Sequence, residues 1–273
     1  MKDIPIAFVG GGNMARSLIG GLVAQGHAPA RIRVAEPLDA LREALQADFG
    51  VTTFDAAATA AAGAATWVLA TKPQVLHDVC AGLAAQAQAA RPLVVSIAAG
   101  ITAPQIARWL GGGIKVVRTM PNTPALLGAG VTGLYADAAV TAEERRFAGT
   151  LLAAAGTTVW IEDEAQMDAV TAVSGSGPAY VFLLAEAMVA AGLREGLPAA
   201  AARTLALQTV LGAARMLTEA DVEPAELRRR VTSPNGTTQA AIETFEAGGF
   251  RTLVESAIHA ARVRGAELSA AND

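Results

Sequence analysis

The sequence predicts a two-domain α/β protein: a doubly wound, mostly parallel sheet followed by an all-helical domain. Three observations predict it. A short apolar run, Ile4 to Val9, passes through a glycine-rich turn straight into a helical pattern. Short apolar runs then alternate with helical segments as far as Ile161, the order expected of successive βα units. From Met167 onward the strand pattern stops and only helical periodicity remains. The boundary falls near residue 163, giving domains 1-163 and 164-273, and a chain of 273 residues is long enough to bury a core in each.

The first strand leads into Gly10-Gly11-Gly12-Asn13-Met14-Ala15, and the helical pattern then runs through Ala24. This is the G-x-G-x-x-A form of the dinucleotide fingerprint, in the strand-turn-helix context it requires. Gly10 makes the turn, Gly12 lets the backbone approach a pyrophosphate, and Ala15 lets the helix lie close to the strand. The first domain therefore reads as a Rossmann domain, with NADH or NADPH as its cofactor. A second strand, Arg31 to Ala35, ends at Glu36, at the distance where an acidic group takes the adenosine ribose hydroxyls. Glu36 favours NADH, while nearby Arg33 and Arg42 leave NADPH open.

The alternation continues with a helix at Leu38 to Asp48, a strand at Val51 to Phe54, an alanine-rich helix, and a strand at Thr66 to Ala70. Strands at Leu93 to Ile97 and Ile114 to Arg118 follow, then a helix at Ala142 to Ala154 and a strand at Thr157 to Ile161. Ligands of such sheets sit beyond the carboxyl ends of the strands, so the loops there carry the site. They are Ala70-Thr71-Lys72-Pro73, Ala98-Ala99-Gly100 and Met120-Pro121-Asn122-Thr123-Pro124. Lys72 is expected to contact the cofactor, and Asn122, fixed between two prolines, to hydrogen-bond a nicotinamide ribose or a bound substrate.

The second domain reads as helices at Met167 to Val173, Ala179 to Leu193, Pro198 to Leu217, Ala225 to Val231, Gln239 to Ala247 and Phe250 to Leu268. Within it lies Thr232-Ser233-Pro234-Asn235-Gly236-Thr237-Thr238, a turn that opens a helix. Pro234, Asn235 and Gly236 suit the turn, and the two threonines sit where an N-cap and first turn belong. Free N–H groups at such a terminus hold a phosphate or carboxylate without a basic side chain. The run Tyr180-Val181-Phe182-Leu183-Leu184 carries more apolar surface than a small bundle hides, which predicts a homodimer through this domain.

Composition excludes several classes. Hydrophobic residues make up 52% and charged residues 17%, as in an ordered, compact protein. The net charge is −4 and the arginines are scattered, apart from Arg228-Arg229-Arg230, so nucleic acid is not expected as a partner. The longest uncharged runs, Thr119 to Ala136 and Ala169 to Ala185, contain prolines, serines and glycines and are not expected to span a membrane. No signal peptide is read at the N-terminus, which places the protein in the cytoplasm. A lone Cys80 reads as buried filler, and no cluster has the spacing of metal ligands.

The chain resembles the pyrroline-5-carboxylate reductases over essentially its whole length. The resemblance rests on the Gly10 to Ala15 loop, on Val95-Ser96-Ile97-Ala98-Ala99-Gly100 and Met120-Pro121-Asn122-Thr123-Pro124, and on Ser174-Gly175-Ser176-Gly177-Pro178-Ala179-Tyr180. Its most specific part is Ser233-Pro234-Asn235-Gly236-Thr237-Thr238 following Leu227 and Val231. One departure is Asn235, where the family usually has glycine; asparagine is the next most tolerant residue of a left-handed backbone. The resemblance implies reduction of L-1-pyrroline-5-carboxylate to L-proline with NADPH or NADH, by dimers often assembled into decamers.

The residue inventory points the same way. Reducing a ketone to an alcohol needs a proton donor, usually Lys or His. The chain has only Lys2, Lys72 and Lys115, with His27, His77 and His259, and none of the histidines lies in these motifs. A cyclic imine protonated in solution accepts hydride directly, so orientation suffices. The expected substrate residues are Ser233, Gly236 and Thr237 for the carboxylate, with the Thr238 hydroxyl on the ring nitrogen as the catalytic group. Two rivals are a β-hydroxyacid dehydrogenase, which would want a lysine in the helix after Ser174 to Gly177, and a non-catalytic dinucleotide-binding sensor.

Overall fold

The computed structural model describes residues 4–270, so Lys2 lies outside the described residues. The chain runs β1 (Ile6–Val9), α1 (Asn13–Ala24), β2 (Ile32–Ala35), α2 (Asp39–Phe49), β3 (Thr52–Phe54), α3 (Ala57–Ala61), β4 (Thr66–Leu69) and α4 (Pro73–Ala90). It continues through β5 (Leu93–Ser96), α5 (Ala103–Trp109), β6 (Lys115–Met120), β7 (Gly130–Ala136), α6 (Ala142–Leu152) and β8 (Gly156–Trp160). Helices α7 (Met167–Val170), α8 (Gly177–Arg194), α9 (Ala199–Glu219), α10 (Pro224–Arg230), α11 (Thr237–Ala247) and α12 (Phe250–Ala270) complete it, with a π-helical turn at Thr171–Gly175.

The sheet order is β3-β2-β1-β4-β5-β6-β7-β8. Every neighbouring pair is parallel except β6 with β7. The central strands are buried on both faces, which explains their unbroken apolar character. Successive side chains of β1 serve opposite cores. Ile6 and Phe8 join Leu18, Ile19 and Leu22 of α1 on one face. Ala7 and Val9 join Leu76, Cys80 and Leu83 of α4 on the other. Each large aliphatic buried this way contributes about 2 kcal/mol. Cys80 is the filler expected of it, and burial pushes its thiol up to about 12.

Strand β7 went unread in the sequence. Its run Gly130-Val131-Thr132-Gly133 carries two glycines, which dilute a strand signal. Pairing in register with β6, Val117 opposite Ala136 through Met120 opposite Gly133, is what makes it a strand.

The chain divides into two compact units, residues 1–176 with 261–273, and residues 177–260. The strand pattern does end where expected, near residue 163, but residues 164–176 pack with the sheet. Arg118 on β6 is one of the ties: buried, it pairs with Glu164 at 3.3 Å and Asp168 at 3.4 Å. The last turns of α12 also belong to the sheet unit, where the Gln105 side chain donates to the Ser269 carbonyl at 3.2 Å.

In the helical unit, α8 and α9 pack through small residues, with Ala185, Ala202 and Ala206 buried. Phe182 and Leu183 on α8, Leu205 on α9 and Leu253 on α12 are exposed. By length and composition the helical run Glu164–Arg194 is apolar enough to cross a bilayer, contrary to the expectation for its uncharged stretch. Its Pro178 does not interrupt it: the proline stands in the first turn of α8, and the Ser174 carbonyl four residues before it is met by the Asn122 side chain at 3.1 Å.

Candidate active site

The nucleotide end is built where β1, β2, β4, β5 and β6 finish side by side. Gly10 takes φ +107, and an added Cβ would lie 2.6 Å from the Ala70 carbonyl oxygen, so only glycine lets the loop pack against the end of β4. The Gly10 amide donates to the Ala35 carbonyl at 2.9 Å, tying the loop to β2. Gly12 is the N-cap of α1, extended at φ −68 and ψ −177, and no side chain caps the helix. A Cβ placed on Gly12 would meet nothing within 4 Å. The first-turn amides of α1, from Asn13, Met14 and Ala15, have no helical partner and no side-chain cap, an arrangement that fits a pyrophosphate. Ala15 itself is buried against the strand, as expected.

Glu36 is buried, and its carboxylate accepts from the Gly11 amide at 3.0 Å and the Leu38 amide at 3.1 Å. It therefore ties the glycine loop to the end of β2. A carboxylate has about four acceptor sites, so two remain for a diol. The two arginines that left NADPH open are engaged with main chain. Arg33 donates to the Ala60 and Thr59 carbonyls and lies over the Phe54 ring, 4.5 Å from its centre. Arg42 donates to the Glu36 and Pro37 carbonyls and pairs with Asp39. Sequence reading missed Arg42 as the brace of this loop; its i+3 spacing from Asp39 was the available signal.

Lys72 is exposed at the N-cap of α4, whose first residue is Pro73, and partly buried Ala70 precedes it. Ala98 is buried and Ala99 exposed in the loop after β5. The Thr119 hydroxyl donates to the Ser96 carbonyl at 2.9 Å, joining that loop to the end of β6. Met120 is partly buried. Asn122 departs from expectation: its Nδ2 donates to the Ser174 carbonyl at 3.1 Å and its Oδ1 accepts from the Val131 amide at 2.9 Å.

The second site lies within the helical unit. Asn235 adopts φ +58, the left-handed conformation anticipated for it. The N-cap of α11 is Gly236, at φ −88 and ψ 172, and not a threonine; Thr237 and Thr238 are the first two helical residues. No side chain caps this helix either. The Gly236 amide donates to the Ser233 carbonyl at 3.0 Å, closing the turn, so it is not the free donor expected for a carboxylate. The first-turn amides of Thr237, Thr238 and Gln239 have no partner within the helix and no side-chain cap. Ser233 and Thr237 are exposed and Thr238 half-buried. Gln239 was missed: its Oε1 accepts from the Asn235 amide at 2.7 Å and fixes the turn. The signal was its position three residues after the cap, the back-reaching half of a capping box. By contrast, α5 and α6 begin with complete capping boxes, Thr102 with Gln105 and Thr141 with Glu144, which leave less room for a ligand.

Among the described residues no group of three or more His, Cys, Asp or Glu has the arrangement of a metal site. Helix α8, which follows the Ser-Gly-Ser-Gly stretch, carries no lysine.

Comparison with known proteins gives consistent matches. Residues 164–268 match the family described as pyrroline-5-carboxylate reductase dimerisation, and residues 5–100 that described as NADP oxidoreductase, coenzyme F420-dependent. The chain is 54% identical to a pyrroline-5-carboxylate reductase of Pseudomonas aeruginosa over 269 residues, 98% of each chain. Identity to that of Haemophilus influenzae is 43% over the same shares. Among solved structures it is similar to a pyrroline-5-carboxylate reductase from Coxiella burnetii, with TM-score 0.94 and 41% identity over 98% of this chain and 99% of that one. A Plasmodium falciparum pyrroline carboxylate reductase with NADP bound gives TM-score 0.85 and 26% identity over 98% and 99%.

Proposed function

The chain belongs to the pyrroline-5-carboxylate reductase family, and from that premise we propose that it reduces L-1-pyrroline-5-carboxylate to L-proline with NAD(P)H. The observation that carries the reading is the start of α11: an extended glycine cap, uncapped amides and hydroxyls, in a unit that holds no lysine and only His259. Such a terminus binds a carboxylate but offers no strong proton donor. A cyclic imine needs none, since its nitrogen is basic enough to arrive protonated. Bound NAD(P)H supplies a hydride to the imine carbon.

The residues divide the work as follows. Gly10, Gly11, Gly12, Asn13, Met14 and Ala15 take the pyrophosphate, Glu36 the adenosine ribose, and Ala70, Lys72, Pro73, Ala98, Ala99 and Met120 line the remaining path of the cofactor. The amides of Thr237 and Thr238, with the Ser233 hydroxyl, hold the substrate carboxylate. Thr238 is the catalytic residue, its hydroxyl on the ring nitrogen. Orientation supplies most of the rate, because holding two reactants in near-attack geometry removes several kcal/mol of barrier.

Residues 164-273 serve substrate binding and dimerisation. Self-association follows from the dimerisation match; assembly of the homodimer into a decamer is part of the proposal and rests on the family resemblance alone. We assign the exposed apolar side chains of α8 to a second copy of the chain and not to a bilayer, because the run Glu164–Arg194 contains Asp168 and Glu186 and falls within residues 164–268. Neither nucleic acid nor membrane is a partner, and the enzyme works in the cytoplasm. Sedimentation velocity separates monomer, dimer and decamer.

The deciding experiment is loss of NAD(P)H absorbance with purified protein and pyrroline-5-carboxylate, using NADH and NADPH in parallel. Oxidation is expected with at least one, and the ratio of efficiencies reads the influence of Glu36. A folded protein that binds cofactor yet oxidises neither would discard the reading in favour of a sensor.

A further inference from the structure

Asn122 stands in the loop after β6, at the ligand end of the sheet, yet both polar ends of its side chain are engaged within the protein. Its surroundings give the reason. Residues Thr171–Gly175 form a π turn, with the Ser176 amide donating to the Thr171 carbonyl at 2.8 Å. A widened turn leaves carbonyls without their ordinary helical donors, and such turns are frequent at functional sites. For the Ser174 carbonyl the deficit is written in the sequence. The residue four places on is Pro178, which has no N–H. Asn122 Nδ2 supplies the missing donor from a different element, and the residue is only 9% exposed.

Two neighbouring contacts reinforce this one. Met120 covers Gly175 so closely that an added Cβ would sit 2.4 Å from its Cε atom. Arg118 pairs with Glu164 and Asp168 just ahead of the turn. Three residues at alternate positions, 118, 120 and 122, thus fasten the end of β6 to residues 164–175. Alternate residues of an extended chain share a face, so one face of this segment makes all three attachments.

Resting on the reductase reading above, we propose that Asn122 is a positioning residue: it locks the Met120 to Pro124 loop to the π turn so that the loop is held in place for hydride transfer. Its amide acts through that loop and not by contact with the cofactor. The rotational freedom of the loop is what it removes, and orientation is the main source of rate in this reaction.

The test uses the full-length enzyme and Asn122→Asp, which keeps the acceptor for the Val131 amide but turns an oxygen toward the Ser174 carbonyl. The expected result is a fall in kcat of about tenfold or more, the value of a broken buried hydrogen bond, with the NADPH dissociation constant and the KM for the imine within about threefold of the parent. Pro178→Ala is then added, which restores an N–H four residues after Ser174. If Asn122 fastens the loop, the double variant recovers melting temperature but not kcat. Recovery of both would mean that Asn122 merely satisfies a carbonyl and would overturn the proposal. So would an unchanged kcat, or a tenfold weaker NADPH affinity, the mark of direct cofactor contact. Asn122→Ser, which no longer reaches Ser174 and adds no charge, gives the same readings if the aspartate variant does not fold. Imine reduction by the parent enzyme, measured alongside, separates failure of this proposal from failure of the reductase reading.

Discussion

Two helix N-termini in this protein are built alike and held in place differently. Helices α1 and α11 each follow a glycine with extended backbone, Gly12 at ψ −177 and Gly236 at ψ 172, and neither receives a side-chain cap. Both therefore leave first-turn amides without helical partners, the arrangement that suits an anion. The α1 terminus is fixed by long-range packing: Gly10 lies against Ala70, Gly11 donates to Glu36, and Gly10 donates to Ala35. The α11 terminus is fixed by its own turn, through Ser233 with Gly236, Asn235 with Gln239, and one left-handed residue. The same device is preorganised by burial in one unit and by local turn chemistry in the other. A site of the first kind tolerates no added atom where it packs, at Gly10 and Gly11; one of the second kind tolerates changes that keep the turn.

The sharpest way to break the comparison is to add one methyl group to each site. Gly10→Ala combines φ +107 with a 2.6 Å approach to the Ala70 carbonyl oxygen. Strain of about 3 kcal/mol is expected, so the NADPH dissociation constant, read by fluorescence titration, should rise about a hundredfold. Gly236→Ala keeps an ordinary φ of −88, and its nearest atom is the Ser233 carbonyl oxygen at 3.1 Å. It should raise the KM for the imine by less than about tenfold and leave NADPH binding alone. Equal damage at both sites would erase the distinction.

Next in size is Thr238→Ala. Steady-state turnover should fall about tenfold, the value of one hydrogen bond, with cofactor affinity nearly intact. An unchanged turnover would remove Thr238 from the chemistry. The smallest effect is expected at Asn235→Gly. Glycine takes φ +58 more easily than asparagine but loses more backbone freedom on folding, so thermal unfolding should report a change within about 1 kcal/mol. A larger loss would show that the Asn235 side chain holds the turn by contacts of its own.

Much of this was legible in the sequence where the signal is local. The strand-turn-helix around Gly10, the strand and helix alternation, the turn at Ser233 to Gly236 and the left-handed Asn235 all follow from residues adjacent in the chain. Strand β7 was not legible, because its pairing with β6 and not its own composition makes it a strand. The fate of individual polar groups was legible only in part. The Glu36 carboxylate secures Gly11 and Leu38, and the Gly236 amide is consumed by its own turn.

The sequence by itself determined the class of each domain, the glycine loop and the helix-opening turn, since backbone preference and hydrophobic period act over a few residues. Only the tertiary structure decided that residues 164–176 pack with the sheet, and that Asn122 and Arg118 bind the chain to itself. A buried polar group must find a partner wherever the fold brings one within reach, and that reach is a property of three dimensions.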